Sequence, residues 1–388
     1  MSNYLTAMVN RDLNYGNSAP NHIYLDVSCV NNDNGASAPV PISFRESRTM
    51  PILEDASMYY LALCRFHLDT VGALPVIIPQ VQLGQSDVNK TIYSVTYKYK
   101  TFEYQQFLSF VPQDESAGTP LAPTIQQDTS STYYFVDSYS YFVNLINTTL
   151  SDGFSAFNDL VVAGSDSLPA SHAPYLQYDS SSGEIILNAD VASFDPTLTN
   201  PVQLYFNTAM HNLLSSFEFI KKGYGSTITN GKNFMVNIRN DNGANIFEVS
   251  NTYSVYQMYQ EYPSISTWSP VSRIVFTSSN LPMNPSIVSP PKVFNSVVGM
   301  SSVTTQTTTM NIITDMTVDI STGKELYPAI TYVPYQYRLI DLTTRGQLNE
   351  FNIDVYWVDT YGNMRLFYLP SGCSANLKLV WIRKSFYN

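Results

Sequence analysis

The sequence predicts a mostly β protein, a sandwich or barrel interrupted by an acidic middle of mixed α and β character. Three observations lead there. Short period-two runs of β-branched and aromatic residues recur near both ends of the chain. The 29 Tyr and 20 Phe sit beside only 13% charged residues, about half the usual share. That mix suits strands and leaves too little Glu, Lys, Arg and Ala for a helical bundle. Third, Lys and Arg vanish between Thr101 and Ile220 while thirteen acids remain there. At 388 residues the length prior of about 150 per domain gives two or three units, and 44% apolar content excludes a disordered chain.

In chain order, His22–Val30 alternates like a strand and is followed by the turn signal Asn-Asp-Asn-Gly at 32–35. Met58–Leu68 is long and apolar and fits a buried strand or a short helix. Thr91–Tyr104 reads as one strand. Tyr93, Val95, Tyr97 and Tyr99 would face the core, and Ser94, Thr96, Lys98 and Lys100 would face water. In the middle, Phe142, Leu145, Ile146, Leu150, Phe154 and Phe157 recur at three and four, predicting a helix over 141–160. Gly153 costs such a helix about 1 kcal/mol, so a break is expected there. A hairpin is predicted over 175–190, a second helix over 206–219, and a hairpin over 234–249 around Asn240–Gly243. The last third repeats the strand pattern at 271–277, 310–320, 335–342, 351–359, 364–369 and 376–383, while 301–309 fits a strand or a loop. Phe351, Ile353, Val355 and Trp357 share one face, with Asn352 and Asp354 on the other, and Trp357 and Trp381 are expected to be buried. Six strands in such a span, joined by short polar turns, mean a sandwich or barrel.

The charge distribution narrows function. The chain carries a net −11, and the stretch from Thr101 to Ile220 alone carries −13, so the remainder is slightly positive. Its last part holds Arg365, Lys378, Arg383 and Lys384 and no acid after Asp359. An enzyme with a basic nucleic-acid cleft is disfavoured. No segment has the roughly 18 uninterrupted apolar residues of a membrane span, and the N-terminal residues lack a signal-peptide pattern. With no such signal, the sequons at Asn89 and Asn147 read as chance matches.

Catalytic chemistry leaves no signature, and no catalytic, cofactor-binding or metal-ligating residue is predicted. His22, His67, His172 and His211 lie far apart, without HExxH or Cys/His ligand spacing. Cys29, Cys64 and Cys373 form no CxxC and read as small buried side chains in a reducing compartment. Gly223-Tyr224-Gly225 is too short to cradle a phosphate, and the two Asn-Asp-Asn-Gly runs lack the further carboxylates of a Ca²⁺ loop. Asp114-Glu115 reads as a solvated loop pair. Lys98 and Lys100 lie opposite the aromatic face of their strand, so stacking of single-stranded bases is disfavoured as well. A low-charge, tyrosine-rich β chain of this kind reads as part of an assembly.

Two segments resemble a known family: residues 272–283 (SRIVFTSSNLPM) and 351–386, in which Trp357 with Gly362-Asn363 and Leu377-Lys378-Leu379 are the most specific pieces. They are similar to the penton, or minor capsid, proteins of virophages of the Sputnik type. The resemblance implies a single jelly-roll β-sandwich with a large inserted α+β domain, residues 1–104 and 265–388 forming the jelly roll and 105–264 the acidic insertion. A double jelly roll is the structural alternative. It also implies a structural virion protein and not an enzyme, a homopentamer at the icosahedral vertex beside the major capsid protein, located in the virion and assembled in the host cytoplasm. The basic C-terminal end is then a candidate contact for packaged DNA. The alternative function is a host-attachment spike that binds a surface glycan through Tyr175 and Tyr178.

Overall fold

The computed structural model describes residues 20–32, 40–70, 72–81, 88, 92–122, 131–170, 172–223, 231–251, 253–288, 292–295, 299–302, 308–318 and 329–386. The first Asn-Asp-Asn-Gly run beyond Asn32, the Asn89 sequon, Tyr224-Gly225 and residues 303–307 lie outside the described residues. The chain divides into two compact units, one of residues 1–74 with 270–388, the other Pro75–Ser269. The second unit thus starts some thirty residues before the sequence-read boundary at 105.

The first unit is all β apart from single turns of 3₁₀ helix among the described residues. One antiparallel sheet runs in the order His22–Val30, Ser374–Arg383, Tyr59–Asp69, Ala329–Tyr332, with Ile340–Asp341 also on Tyr59–Asp69. The ambiguous apolar run at 58–68 is therefore a strand. The other sheet runs Ile312–Met316, Val271–Thr277, Glu350–Asp359, Met364–Leu366, with Ser43–Ser47 also on Glu350–Asp359. The sheets share a core: Phe66 meets Phe276 edge-on at 4.7 Å, and Phe351 meets Trp381 at 5.9 Å. Trp381 is 0% and Trp357 3% exposed. Ser374–Arg383 is central to its sheet, and its second half is buried on both faces, because Val380 and Ile382 cluster with Ala62 and Cys64 on the side away from Trp381. That explains why the sequence there (LVWI) is continuously apolar instead of alternating. Each sheet joins strands from both chain ends, the construction a jelly roll requires.

The second unit is α+β. Its long helix α1 (Tyr139–Ala163) starts at Ser138, whose hydroxyl accepts from the Tyr141 amide at 3.3 Å, and ends at Gly164. Phe142, Ile146, Leu150, Phe154, Phe157 and Val161 are buried along one stripe. They pack with a five-stranded sheet ordered Phe219–Lys221, Phe234–Val236, Gln203–Phe206, Ser94–Tyr99, Phe102–Phe107. Tyr97 lies 5.5 Å from Phe154 and 5.7 Å from Phe157, and its hydroxyl donates to the Leu150 carbonyl at 2.9 Å. A four-stranded sheet, Ile246–Ser250, Tyr253–Tyr259, Glu184–Asp190, Tyr175–Asp179, completes the unit. A helix laid on a sheet is not a second jelly roll, so the double jelly roll is not the architecture of this chain.

Several expectations need correction. The helix does not break at Gly153. A Cβ there would come within 2.8 Å of the Gln106 Cβ and 3.3 Å of the Tyr97 ring, so the glycine lets helix and sheet approach closely. The 91–104 run is two strands, turned at Lys100, whose φ is +53°. Ser94 and Thr96 are fully buried, not solvated. The helix expected over 206–219 is six residues, Thr208–Leu213, followed by a strand. The turn at 240–243 forms, with Asn242 and Gly243 at positive φ, but its flanking strands pair into different sheets, so 234–249 is no hairpin. In 335–342 only Ile340–Asp341 is strand; Tyr335 projects into solvent, and Tyr337 is partly exposed and hydrogen-bonded to Cys64.

Candidate functional site

A site for chemistry would need convergent polar groups, and the described residues supply two histidine–carboxylate pairs: His67 Nε2 lies 3.7 Å from Asp69, with its Nδ1 2.8 Å from the Thr331 hydroxyl on an exposed strand face, and His172 pairs with the buried Asp190. His172 Nδ1 lies 3.0 Å from the Asp190 carboxylate, and its ring stacks on Tyr253 at 3.9 Å. Asp190 is buried, ends its strand, and also accepts from the Ala192 amide at the start of a short helix. Burial and the neighbouring Tyr175 and Asp190 push the Tyr253 hydroxyl up to about 12, so it stays protonated and unreactive near neutrality. His172 has contacts to Asp190 and Tyr253 but to no serine or cysteine among the described residues. The pair fixes a loop onto a sheet and lacks a nucleophile. No group of three His, Cys, Asp or Glu that could hold a metal occurs among the described residues. No described helix is long and apolar enough to cross a membrane. The cysteines are free: Cys64 is buried, and Cys29 and Cys373 are half-buried, which corrects the expectation that all three are core residues.

The family-like residues instead build rigid structure. The Asp359 carboxylate is buried at the end of the Glu350–Asp359 strand. It accepts from the Tyr361 and Asn363 amides at 2.9 Å each, from the Asn363 side chain at 2.9 Å and from Arg365 at 3.2 Å. Arg365 in turn lies over the Trp357 ring, 5.4 Å from its centre. Gly362 takes φ +81°, open to glycine at little cost, which lets the chain reverse around that carboxylate. One charge thus organises the 359–363 turn by charge-assisted hydrogen bonds. Leu377 and Leu379 are core residues, and Lys378 between them points outward. Sequence reading found Trp357, Gly362 and Asn363 but missed Asp359 as their organiser; an Asp two and four residues ahead of Tyr361 and Asn363 was the signal.

Three cations of the basic end have acidic partners within the chain: Arg365 serves Asp359, Lys378 pairs with Asp26 at 3.6 Å, and Lys384 pairs with Asp341 and donates to the Ser57 carbonyl at 2.6 Å. Tyr175 and Tyr178 are half-buried, and Tyr178 packs on Tyr139, 5.6 Å away, within the second unit's core; they do not offer the open aromatic platform a glycan site needs. Exposed apolar side chains do occur in groups. Val333, Tyr335 and Tyr337 cluster in one loop of the first unit, and Ile246, Phe247 and Val249 on one edge strand of the second, whose five residues are all exposed. Contiguous exposed apolar groups of this kind mark association surfaces.

Comparison with known proteins agrees with a part in an assembly. The family described as Sputnik minor capsid protein V18/19 matches residues 23–383. Structural protein V19 of Sputnik virophage is 33% identical over 215 residues, 54% of this chain and 93% of V19. Protein V18 of the same virus is 35% identical over 145 residues, 35% of this chain and 84% of V18. A chain from the 3.5 Å cryo-EM structure of the Sputnik virophage superposes with a TM-score of 0.79 at 29% identity, covering 95% of this chain and 100% of that one. The mavirus penton protein shares the fold, with a TM-score of 0.57 at 16% identity over 93% of this chain and 99% of that one. A match of this kind, running almost end to end, is to structural capsid proteins: the chain belongs to the Sputnik minor capsid protein family.

Proposed function

We propose that the protein is the penton subunit that closes the five-fold vertices of an icosahedral virophage capsid, as a homopentamer set among major capsid proteins. The observation that carries this reading is the likeness, over nearly the whole length of both chains, to a chain of the Sputnik particle. The penton fold shared with the mavirus protein supports it. Five identical subunits closing a ring use a heterologous interface, one side of each meeting the other side of its neighbour. The exposed loop at 333–337 and the edge strand at 246–250 are the surfaces available to it. The unit Pro75–Ser269 is the inserted outer domain. It holds 17 acidic against 7 basic residues, a net −10, and leaves −1 for the first unit. Packaged phosphates repel such a domain, and acids placed near them draw in counterions instead of releasing them, so it faces outward. Negative-stain microscopy and mass photometry of the purified protein test the assembly. Five-fold rings, alone or with the major capsid protein, are expected; a monomer absent from purified particles overturns the reading. An epitope tag at Ser167 on intact particles tests the orientation, and a tag reached by antibody only after disruption overturns it.

A further inference from the structure

The first unit carries an apolar cleft and an exposed aromatic loop, and they lie at opposite edges of one sheet. The cleft, about 370 Å³, is walled by Ile23 and Leu25 of the edge strand His22–Val30 and by Pro51, Ile52 and Met58. Its charged lining is acidic on balance. Glu54 accepts from the Gln347 side chain, and Asp55 from the Ser57 amide and hydroxyl; neither has a cation partner among the described residues. Arg48, also in the lining, is paired with Glu46 at 2.8 Å. At the other edge lies the strand Ala329–Tyr332, and the loop after it presents Val333 and the fully exposed Tyr335. The root of this loop is fixed: Tyr332 pairs with Phe66, and Tyr337 hydrogen-bonds to Cys64. Pro334 locks its own φ and favours extended backbone at Val333, so the tip is held out with little entropy left to lose. Arg338, at the end of the loop, shares the Asp315 carboxylate with Arg273, at 3.5 and 3.3 Å, which leaves one positive charge over. A rigid tyrosine with a basic flank and an apolar cleft with acidic lining are complementary in shape class and in charge. Each copy offers both halves on opposite edges, as a heterologous contact requires.

We propose that Tyr335 of one copy seats in this cleft of the next copy, its ring against Ile52 and Met58 and its basic flank facing Glu54 and Asp55. The contact rests on the penton reading, whose ring of identical copies supplies the neighbour. The test places the photo-crosslinking residue benzoylphenylalanine at Tyr335 of the full-length protein, co-assembled from equal amounts of ¹⁴N- and ¹⁵N-labelled chains, alone and with the major capsid protein. Mass photometry first scores the rings. After irradiation and proteolysis, mass spectrometry should find residue 335 joined to residues 51–58 in mixed-isotope pairs. Rings with links elsewhere, with same-isotope links only or with no link overturn this contact and leave the penton reading standing. Absence of rings under both conditions overturns the penton reading, and the contact with it. Tyr335→Ala removes a side chain that packs in no core. It should raise the protein concentration at half-assembly about tenfold or more, with the fold retained by circular dichroism. An unchanged assembly midpoint overturns the anchoring role of Tyr335.

Discussion

The two units reach similar burial by opposite routes. In the second, α1 packs on strands from 94–107, so its central contacts close within about seventy residues of sequence. In the first, the middle strand of a sheet is Ser374–Arg383, zipped between His22–Val30 and Tyr59–Asp69, more than three hundred residues upstream. Local contacts form at small entropic cost, whereas distant pairings must close a long loop before they gain anything. The compact second unit lies within that loop. A β-sandwich tolerates such an insertion because its strands are held by pairing across the sheet and not by the connection between them.

The largest test of this contrast removes the sandwich's central ring. Trp381→Ala should cost about 3–5 kcal/mol. Hydrogen exchange read by mass spectrometry should show lost protection over 22–69 and 350–383 while α1 keeps its own. Loss of protection in α1 to the same degree would show that the two units unfold as one block. Asp359→Ala should cost about 3 kcal/mol, since it leaves the Arg365 guanidinium, whose side chain is 12% exposed, without its carboxylate. A chemical-denaturation midpoint within error of the parent would show that the turn does not depend on that charge.

The second unit is probed by Gly153→Ala. Helix propensity alone predicts a gain of about 1 kcal/mol, but the added Cβ meets the Gln106 Cβ at 2.8 Å, and overpacking of that kind costs about 1–3 kcal/mol. A net loss is expected in urea unfolding, and a stabilised variant would mean that the helix–sheet spacing yields easily. The smallest effect concerns pH. Desolvation and the nearby Asp114 push the Asp137 carboxyl up to about 6. Its folded form therefore holds a proton more tightly than the unfolded chain, and stability falls as pH rises from about 4 to 6. Asp137→Asn should melt above the parent at pH 8, with the gap closing below pH 4. A gap independent of pH would assign the effect to something other than that titration.

What the sequence by itself determined was the part that period and composition encode. Strands at 22–30, 271–277 and 351–359 were legible from their β-branched and aromatic runs, and the stripe on α1 because its apolar side chains recur at three and four. Trp357, Gly362 and Asn363 stood out as family-like, but their shared partner Asp359 did not, because four hydrogen bonds to one carboxylate converge only once the turn has closed. Tertiary structure alone decided that Gly153 is a contact and not a helix break, since the atom it makes room for lies on another strand. It also decided that Ser94 and Thr96 are buried, because a strand covered on both faces no longer shows which residues meet water. And it decided that the strands on either side of the Asn240–Gly243 turn join different sheets. A turn sequence fixes local backbone angles, while strand pairing is chosen by which edge offers the better buried face.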